Sequence, residues 1–197
     1  MKKSYLSADA YLLDSFRLAR MIMDSGWIPD LIIPLWRGGA PVGICIHEFF
    51  VYHHIPVSHR VLQCKSYCGI GKSSGTVEFS NLDCVCALLN PGMKVLVVDD
   101  VFDSGRTVEA VREKLTPLCG ELRVATVYWK PAANRTNGKP DYYLHKTEEW
   151  LVFPHEMDGL SVEEMQEKNQ ELAAILDGAR LSSANSPSTQ QRGGNNA

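Results

Sequence analysis

Lys94-Val95-Leu96-Val97-Val98-Asp99-Asp100-Val101-Phe102-Asp103-Ser104-Gly105-Arg106-Thr107 is the stretch on which the fold turns. Its apolar run has strand length, and an unbroken run of this kind fits a strand covered on both faces. Two acids end the run, a polar turn follows, and a helix is predicted from about Thr107 to Leu118. In open α/β sheets, ligands bind beyond the carboxyl ends of the strands. Asp99 and Asp100 stand at that end. Backbone N–H groups of a small turn, together with a helix N-terminus, make an anion site. Ser104 and Thr107 add hydroxyl donors, and Gly105 permits close approach and a positive φ. The two acids would repel a phosphate and suit sugar hydroxyls or a divalent cation. One half of the segment therefore reads sugar or metal, the other half phosphate. The competing reading makes Asp103 and Ser104 helix caps and leaves Asp99 and Asp100 in solvent.

Outward from this stretch, strands alternate with helices. Residues 8–25 have helical periodicity, with Leu12, Leu13, Phe16, Ala19 and Ile22 on one side, Ser7 as cap and Gly26 as stop. Leu31-Ile32-Ile33-Pro34-Leu35 reads as a buried strand, and Arg37-Gly38-Gly39 as a turn. A helix starting at Pro41 runs to about His53. A strand is predicted over 57–65, a polar glycine-rich loop over 66–75 and a short helix over 82–89. Further strands fall at Leu122–Trp129, Tyr142–Leu144 and Trp150–Phe153, and a last helix at about 161–177. The alternation argues for an α/β fold with a mainly parallel sheet. From residue 181 the composition turns to Ser, Asn, Gln and Gly, so 181–197 is expected to be a disordered tail.

A chain of 197 residues with 45% hydrophobic and 22% charged residues fits one domain, here 1–180, plus appendages. The net charge of −3 argues against a nucleic-acid partner, which calls for a basic surface. No apolar run is long enough for a membrane span. The N-terminus has two lysines but no signal core behind them, so a cytoplasmic protein is expected. The six cysteines form no CxxC pair and read as free thiols. Gly69-Ile70-Gly71-Lys72-Ser73 ends like a P-loop, but Ser66 stands where that motif needs its first glycine, and Ser74 breaks GxGxxG. The histidines show no HExxH or paired ligand spacing.

The segment 95–107 resembles the phosphoribosyl-pyrophosphate signature of the type I phosphoribosyltransferases: four hydrophobic residues, two acids, two variable residues, then Asp-Thr-Gly-x-Thr. Ser104 replaces the usual threonine and keeps the hydroxyl. Arg37-Gly38-Gly39 resembles the family's pyrophosphate loop, which often carries a cis non-proline peptide, here at Trp36–Arg37. Arginine offers a fixed fork of donors to phosphate oxygens. Lys65-Ser66-Tyr67 resembles the start of the mobile catalytic loop, which shields the reaction from water. Lys130 and the segment 150–156 resemble the base-binding hood of 6-oxopurine phosphoribosyltransferases, of the hypoxanthine-guanine and xanthine-guanine types. A lysine ammonium would donate to a 6-oxo group and meet adenine's amino group donor to donor. Trp150 offers a ring for stacking, and the backbone at Leu151 would read the base edge. Glu156 falls where the family places an aspartate near the second metal or the base.

The resemblance covers roughly 30–157. It implies the type I phosphoribosyltransferase fold: a mainly parallel five-stranded core sheet flanked by helices, with a small hood built partly from 130–157. It implies transfer of ribose 5-phosphate from phosphoribosyl pyrophosphate to a 6-oxopurine, with Mg2+ as cofactor and a homo-oligomeric (dimeric or tetrameric) state. Asp103 would be the catalytic base. Asp99 and Asp100 would bind the ribose and metal, with Glu156 as a further metal candidate. Residues Asp103, Ser104, Gly105, Arg106 and Thr107 would hold the 5-phosphate, and Arg37 with Gly38 the pyrophosphate. Two alternatives stand beside this: another acceptor base, or a regulator that senses phosphoribosyl pyrophosphate without catalysis.

Overall fold

Val95, Leu96, Val97 and Val98 are all 0% exposed, so their strand must be covered on both faces. The computed structural model, which describes residues 3–66 and 77–184, places helices on each side of it. In chain order the elements begin with β1 (Lys3–Tyr5), α1 (Ala8–Asp24), β2 (Leu31–Trp36) and α2 (Gly39–Tyr52). Then come β3 (Ser58–His59), β4 (Leu62–Ser66), β5 (Val77–Phe79), α3 (Leu82–Cys86) and β6 (Lys94–Phe102). They continue with α4 (Arg106–Leu115), β7 (Glu121–Trp129), β8 (Tyr142–Lys146), β9 (Trp150–Val152), α5 (Val162–Lys168) and α6 (Gln170–Ala184).

The main sheet runs β5-β4-β2-β6-β7-β8, with β3 also on β2. β4, β2, β6, β7 and β8 are parallel, which gives the expected five-stranded parallel core; β5 adds an antiparallel edge. The residues expected as one strand over 57–65 form two, β3 and β4, both parallel to β2. β1 was not anticipated. It pairs in parallel with β9 as a separate two-stranded sheet.

Side-chain alternation divides the core in two. Leu96, Val98, Ile32, Ala125 and Val127 pack with α1 and α2, whereas Val95, Val97, Ile33 and Val124 pack with α4 and Val85 of α3. Strict alternation stops at the acids: Val98 and Val101 join one cluster, Val97 and Phe102 the other.

The expected face of α1 is corrected. Leu12, Leu13 and Phe16 are 42%, 55% and 38% exposed, and the buried stripe is Tyr11, Asp14, Ser15, Leu18, Ala19 and Ile22. The buried apolar residues Leu18, Ala19 and Ile22 and the contact of Asp14 with β8 agree on this phase. Asp14 meets His145 Nε2 at 2.8 Å and accepts from Arg17 at 2.7 Å, while Ser15 Oγ donates to the Tyr11 carbonyl at 2.8 Å. A hydrophobicity count favours the leucines because it cannot see a partner on β8.

The chain divides into two compact units, 1–154 and 155–197. In the second, α5 opens with a capping box between Ser161 and Glu164. The single helix expected over 161–177 is two, broken where Asn169 turns extended. Positions 181–184 of the expected tail complete α6, and the remainder lies outside the described residues.

Leu96→Ala removes a fully buried side chain between the sheet and the α1/α2 layer. It is expected to destabilise the fold by about 2–5 kcal/mol, read as a lower urea midpoint.

Candidate active site

β2 and β6 pair in parallel from Leu31↔Val95 to Pro34↔Val98, so their carboxyl ends emerge side by side. The turn after β2 and the acids at the end of β6 are thereby pressed together. A Cβ on Gly38 would overlap the Asp100 carboxylate, and one on Gly39 the Val98 carbonyl. Only glycine fits either place. The peptide Trp36–Arg37 is cis, as the resemblance implies. α2 begins at Gly39, two residues before the expected start, which aims its first N–H groups at this turn; Arg37 is exposed beside them.

Each acid accepts the N–H of the next residue: Asp100 N to Asp99 Oδ1 at 3.0 Å and Val101 N to Asp100 Oδ1 at 2.7 Å. The Gly39 N–H also bonds Asp99. Burial, and then the charge of Asp100, push the Asp99 carboxyl well above the ordinary carboxylate value. The same charge cluster is felt nearby. Burial, with Asp99 second, pushes the Cys64 thiol up to about 12. A divalent cation would offset this repulsion, and an all-oxygen donor set suits a hard one. Among the described residues no three acidic, histidine or cysteine side chains converge on one point. Asp99 and Asp100 offer hard oxygen donors of the kind Mg2+ takes alongside several water or substrate oxygens.

Beyond the acids, Asp99, Phe102, Asp103, Ser104, Gly105 and Thr107 line a small hollow of about 70 Å³. α4 starts behind Gly105, which is left-handed at φ 78° and provides no side-chain cap. Gly105 thus takes the N-cap position that the competing reading gives to Asp103 or Ser104, while Ser104 Oγ accepts a long hydrogen bond from Arg106 N at 3.5 Å. The turn is held open from outside by residues that nothing in the apolar pattern marks. Arg135 N donates to the Ser104 carbonyl at 2.9 Å, and Asn134 Oδ1 accepts from Thr136 N at 2.9 Å. A Cβ on Gly105 would come within 2.5 Å of Thr136 Oγ1 and 2.9 Å of Asn134 Oδ1. The Asn-Arg-Thr-Asn-Gly composition of 134–138 is a turn signal that hints at this role.

Register also builds the third part. Phe102 pairs with Trp129, so Asp103 and Lys130 follow on adjacent strand ends. Lys130 N donates to the Phe102 carbonyl at 2.9 Å, and Lys130 Nζ stands 3.6 Å from Asp103 Oδ2. The same ammonium lies 5.9 Å from the centre of the Trp150 ring, which is 54% exposed. Leu151 is buried in the core, and its backbone registers with Ser4 of β1.

The structure thus brings together Arg37, Gly38, Asp99, Asp100, Asp103, Ser104, Gly105, Arg106, Thr107, Lys130 and Trp150. Lys65 and Ser66 end β4 opposite Glu78 and Val77, and Tyr67 lies outside the described residues. Glu156 belongs to the second unit, where Lys168 Nζ donates to its backbone carbonyl.

Residues 2–160 match the family model of the phosphoribosyl transferase domain. The chain is 31% identical over 168 residues to a xanthine-guanine phosphoribosyltransferase of Ruegeria sp. (strain TM1040), covering 79% of this chain and 86% of that one. It is 30% identical over 112 residues to a hypoxanthine-guanine phosphoribosyltransferase of Lactococcus lactis subsp. lactis (strain IL1403). That match spans 57% of this chain and 58% of the relative. Among solved structures, a purine phosphoribosyltransferase from Pyrococcus horikoshii Ot3 superimposes with a TM-score of 0.63 at 29% identity, over 82% of this chain and 98% of that one.

Gly105→Ala places a Cβ in the left-handed region and against Thr136. A loss of about 1–2 kcal/mol is expected from the backbone alone, with more from the collision. Adding Thr136→Ala should relieve only that residue's share of the collision, because Phe102 Cε1 at 2.8 Å and Asn134 Oδ1 at 2.9 Å remain, so only a small return of the thermal midpoint is expected.

Proposed function

The chain belongs to the phosphoribosyl transferase domain family, and on that premise we propose that it transfers the 5-phosphoribosyl group from phosphoribosyl pyrophosphate to a 6-oxopurine. The products are the nucleoside monophosphate and pyrophosphate, as in purine salvage. The observation that carries this reading is the position of Lys130 Nζ, 3.6 Å from Asp103 and 5.9 Å from the centre of the Trp150 ring. A flat base stacked on Trp150 would present a 6-oxo group to the ammonium and a ring nitrogen toward Asp103. Hypoxanthine, guanine and xanthine share that oxo group. The names of the relatives from Ruegeria and Lactococcus support the same substrate class.

In this reading the bond from ribose C1 to the pyrophosphate oxygen breaks and a bond from C1 to a purine nitrogen forms. The pyrophosphate leaves with the bonding pair, and the purine loses a proton. Asp103, as carboxylate, takes up the proton at N7. The N–H groups and hydroxyls of 104–107 hold the 5-phosphate, and Arg37 with the Gly38–Gly39 backbone holds the departing pyrophosphate. Asp99 and Asp100 bind the ribose hydroxyls and would hold Mg2+, which when bound neutralises diphosphate charge and improves the leaving group. Glu156 is the candidate for a second metal or for the base's exocyclic group, and Lys65-Ser66-Tyr67 for the start of the closing loop. The same reading makes the protein a cytosolic homo-oligomer that acts on small molecules and binds no nucleic acid.

The direct test is pyrophosphate release from phosphoribosyl pyrophosphate and Mg2+ with each base in turn. Release with hypoxanthine, guanine or xanthine and not with adenine is expected; donor binding without release for any base would make the protein a sensor. Asp103→Asn should keep donor affinity and lower kcat by roughly 10²–10⁴-fold. Unchanged kcat would remove Asp103 from the proton transfer. Lys130→Ala should raise KM for 6-oxopurines and leave that for the donor; an equal loss for both would end its role as base reader.

A further inference from the structure

Tyr11 lies in the first turn of α1, outside every motif that marks the site, and is 3% exposed. Its hydroxyl donates to the Gly38 carbonyl at 3.3 Å. Gly38 is the residue whose α-carbon is pressed against the Asp100 carboxylate. Its carbonyl therefore faces α1 while its other side faces the acids. The Tyr11 ring meets Phe153 edge to face, with centroids 5.4 Å apart and planes at 65°. Phe153 stands two residues after Leu151 and three after Trp150. One side chain thus touches both the turn after β2 and the strand segment that carries the base platform.

We propose that Tyr11 is a positioning residue that sets the Gly38 peptide, and with it Arg37, for the pyrophosphate group, and braces that turn against the base platform through Phe153. The inference rests on the pyrophosphate reading of Arg37–Gly38.

Several contacts fix Tyr11 for this work. Ser7 Oγ caps α1 by accepting from Ala10 N at 3.2 Å, which holds the first turn in place. One turn on, Ser15 Oγ donates to the Tyr11 carbonyl at 2.8 Å. Asp14, bonded to His145 Nε2 at 2.8 Å, ties the same face of α1 to β8. Phe153 is itself buried and also meets the Tyr128 ring, at 5.9 Å between centroids, so it has little room to yield. Burial, then the charges of Asp100 and Asp99, hold the Tyr11 phenol well above its ordinary value. The hydroxyl therefore stays protonated and remains a donor across the working range of pH. A donor suits this place because the group it meets is a carbonyl.

Phenylalanine at this position keeps the ring and deletes only the donor. Without that donor the Gly38 peptide is free to leave its set orientation in the unliganded protein, and binding must restore it at a cost of up to about one hydrogen bond, roughly three- to tenfold in affinity. Tyr11→Phe is thus expected to raise the donor KM, and the Kd for inorganic pyrophosphate with Mg2+ measured calorimetrically, by about three- to tenfold. KM for the purine and kcat should stay within about twofold, the usual scatter for an uninvolved group. Tyr11→Leu removes the ring as well and should add a rise in the purine KM. Circular dichroism on both variants reports the fold, and Tyr11→Phe carries the decision if Tyr11→Leu does not fold. Unchanged donor KM and pyrophosphate Kd in Tyr11→Phe, or equal changes in every constant, overturn the proposal. Arg37→Ala separates it from its premise. If Arg37→Ala weakens pyrophosphate binding and Tyr11→Phe does not, the loop reading stands and Tyr11 falls. If Arg37→Ala has no effect either, the loop reading itself fails, and the role of Tyr11 with it.

Discussion

The parallel pairing of β2 with β6 governs the arrangement of this protein. Each strand contains an unbroken buried apolar run, 31–35 in β2 and 95–98 in β6, that needs cover on both faces, and the two lie adjacent at the centre of the sheet. Parallel pairing brings both carboxyl ends to one edge. Whatever follows the strands must share that space. After β2 it is a turn with two glycines; at the end of β6 it is two acids, with a second turn beyond them. The glycines are required by proximity, because a side chain at 38 would occupy the Asp100 carboxylate. The charges are crowded for the same reason.

That crowding has chemical consequences. Two adjacent carboxylates, one half-buried and one buried, are costly as a pair, and burial with the charge of Asp100 pushes the Asp99 carboxyl up. The penalty falls when a cation or a set of sugar hydroxyls arrives, so the free protein is poised toward ligands that share the burden. Further along, the field changes sign. The N-termini of α2 and α4, Arg37 and Lys130 present donors on either side of the acids. A ligand with hydroxyls in its middle and anionic groups at its ends meets complementary partners throughout, and phosphoribosyl pyrophosphate has that form.

Support for the site comes from polar contacts as much as from apolar packing. Asn134, Arg135 and Thr136 hold the turn of Ser104 and Gly105. Asp14, through His145 on β8, holds α1 in a phase that leaves Leu12, Leu13 and Phe16 exposed. Tyr11 follows from the same choice: a helix rotated to bury the leucines would carry its hydroxyl away from Gly38.

The sequence by itself determined the alternation of the main strands and helices, though not β1 or β5, together with the strand–acid–turn–helix unit at 94–107 and the two short glycine turns. These are local matters: an apolar run, a charge that ends it and a residue without a Cβ act within a few positions. Element ends moved by up to four residues, as where β6 runs on through the acids to Phe102, and where caps and partners intervened at Gly39 and at Asn169. Tertiary structure alone decided the rest. Lys130 meets Asp103 because Phe102 registers with Trp129, and Tyr11 meets Gly38 because Asp14 finds His145 across 131 residues of chain. Such partners cannot be read from periodicity, because an amphipathic count weighs each residue by its water affinity alone. Which face of a helix turns inward depends on the groups waiting there, and only the folded chain supplies them.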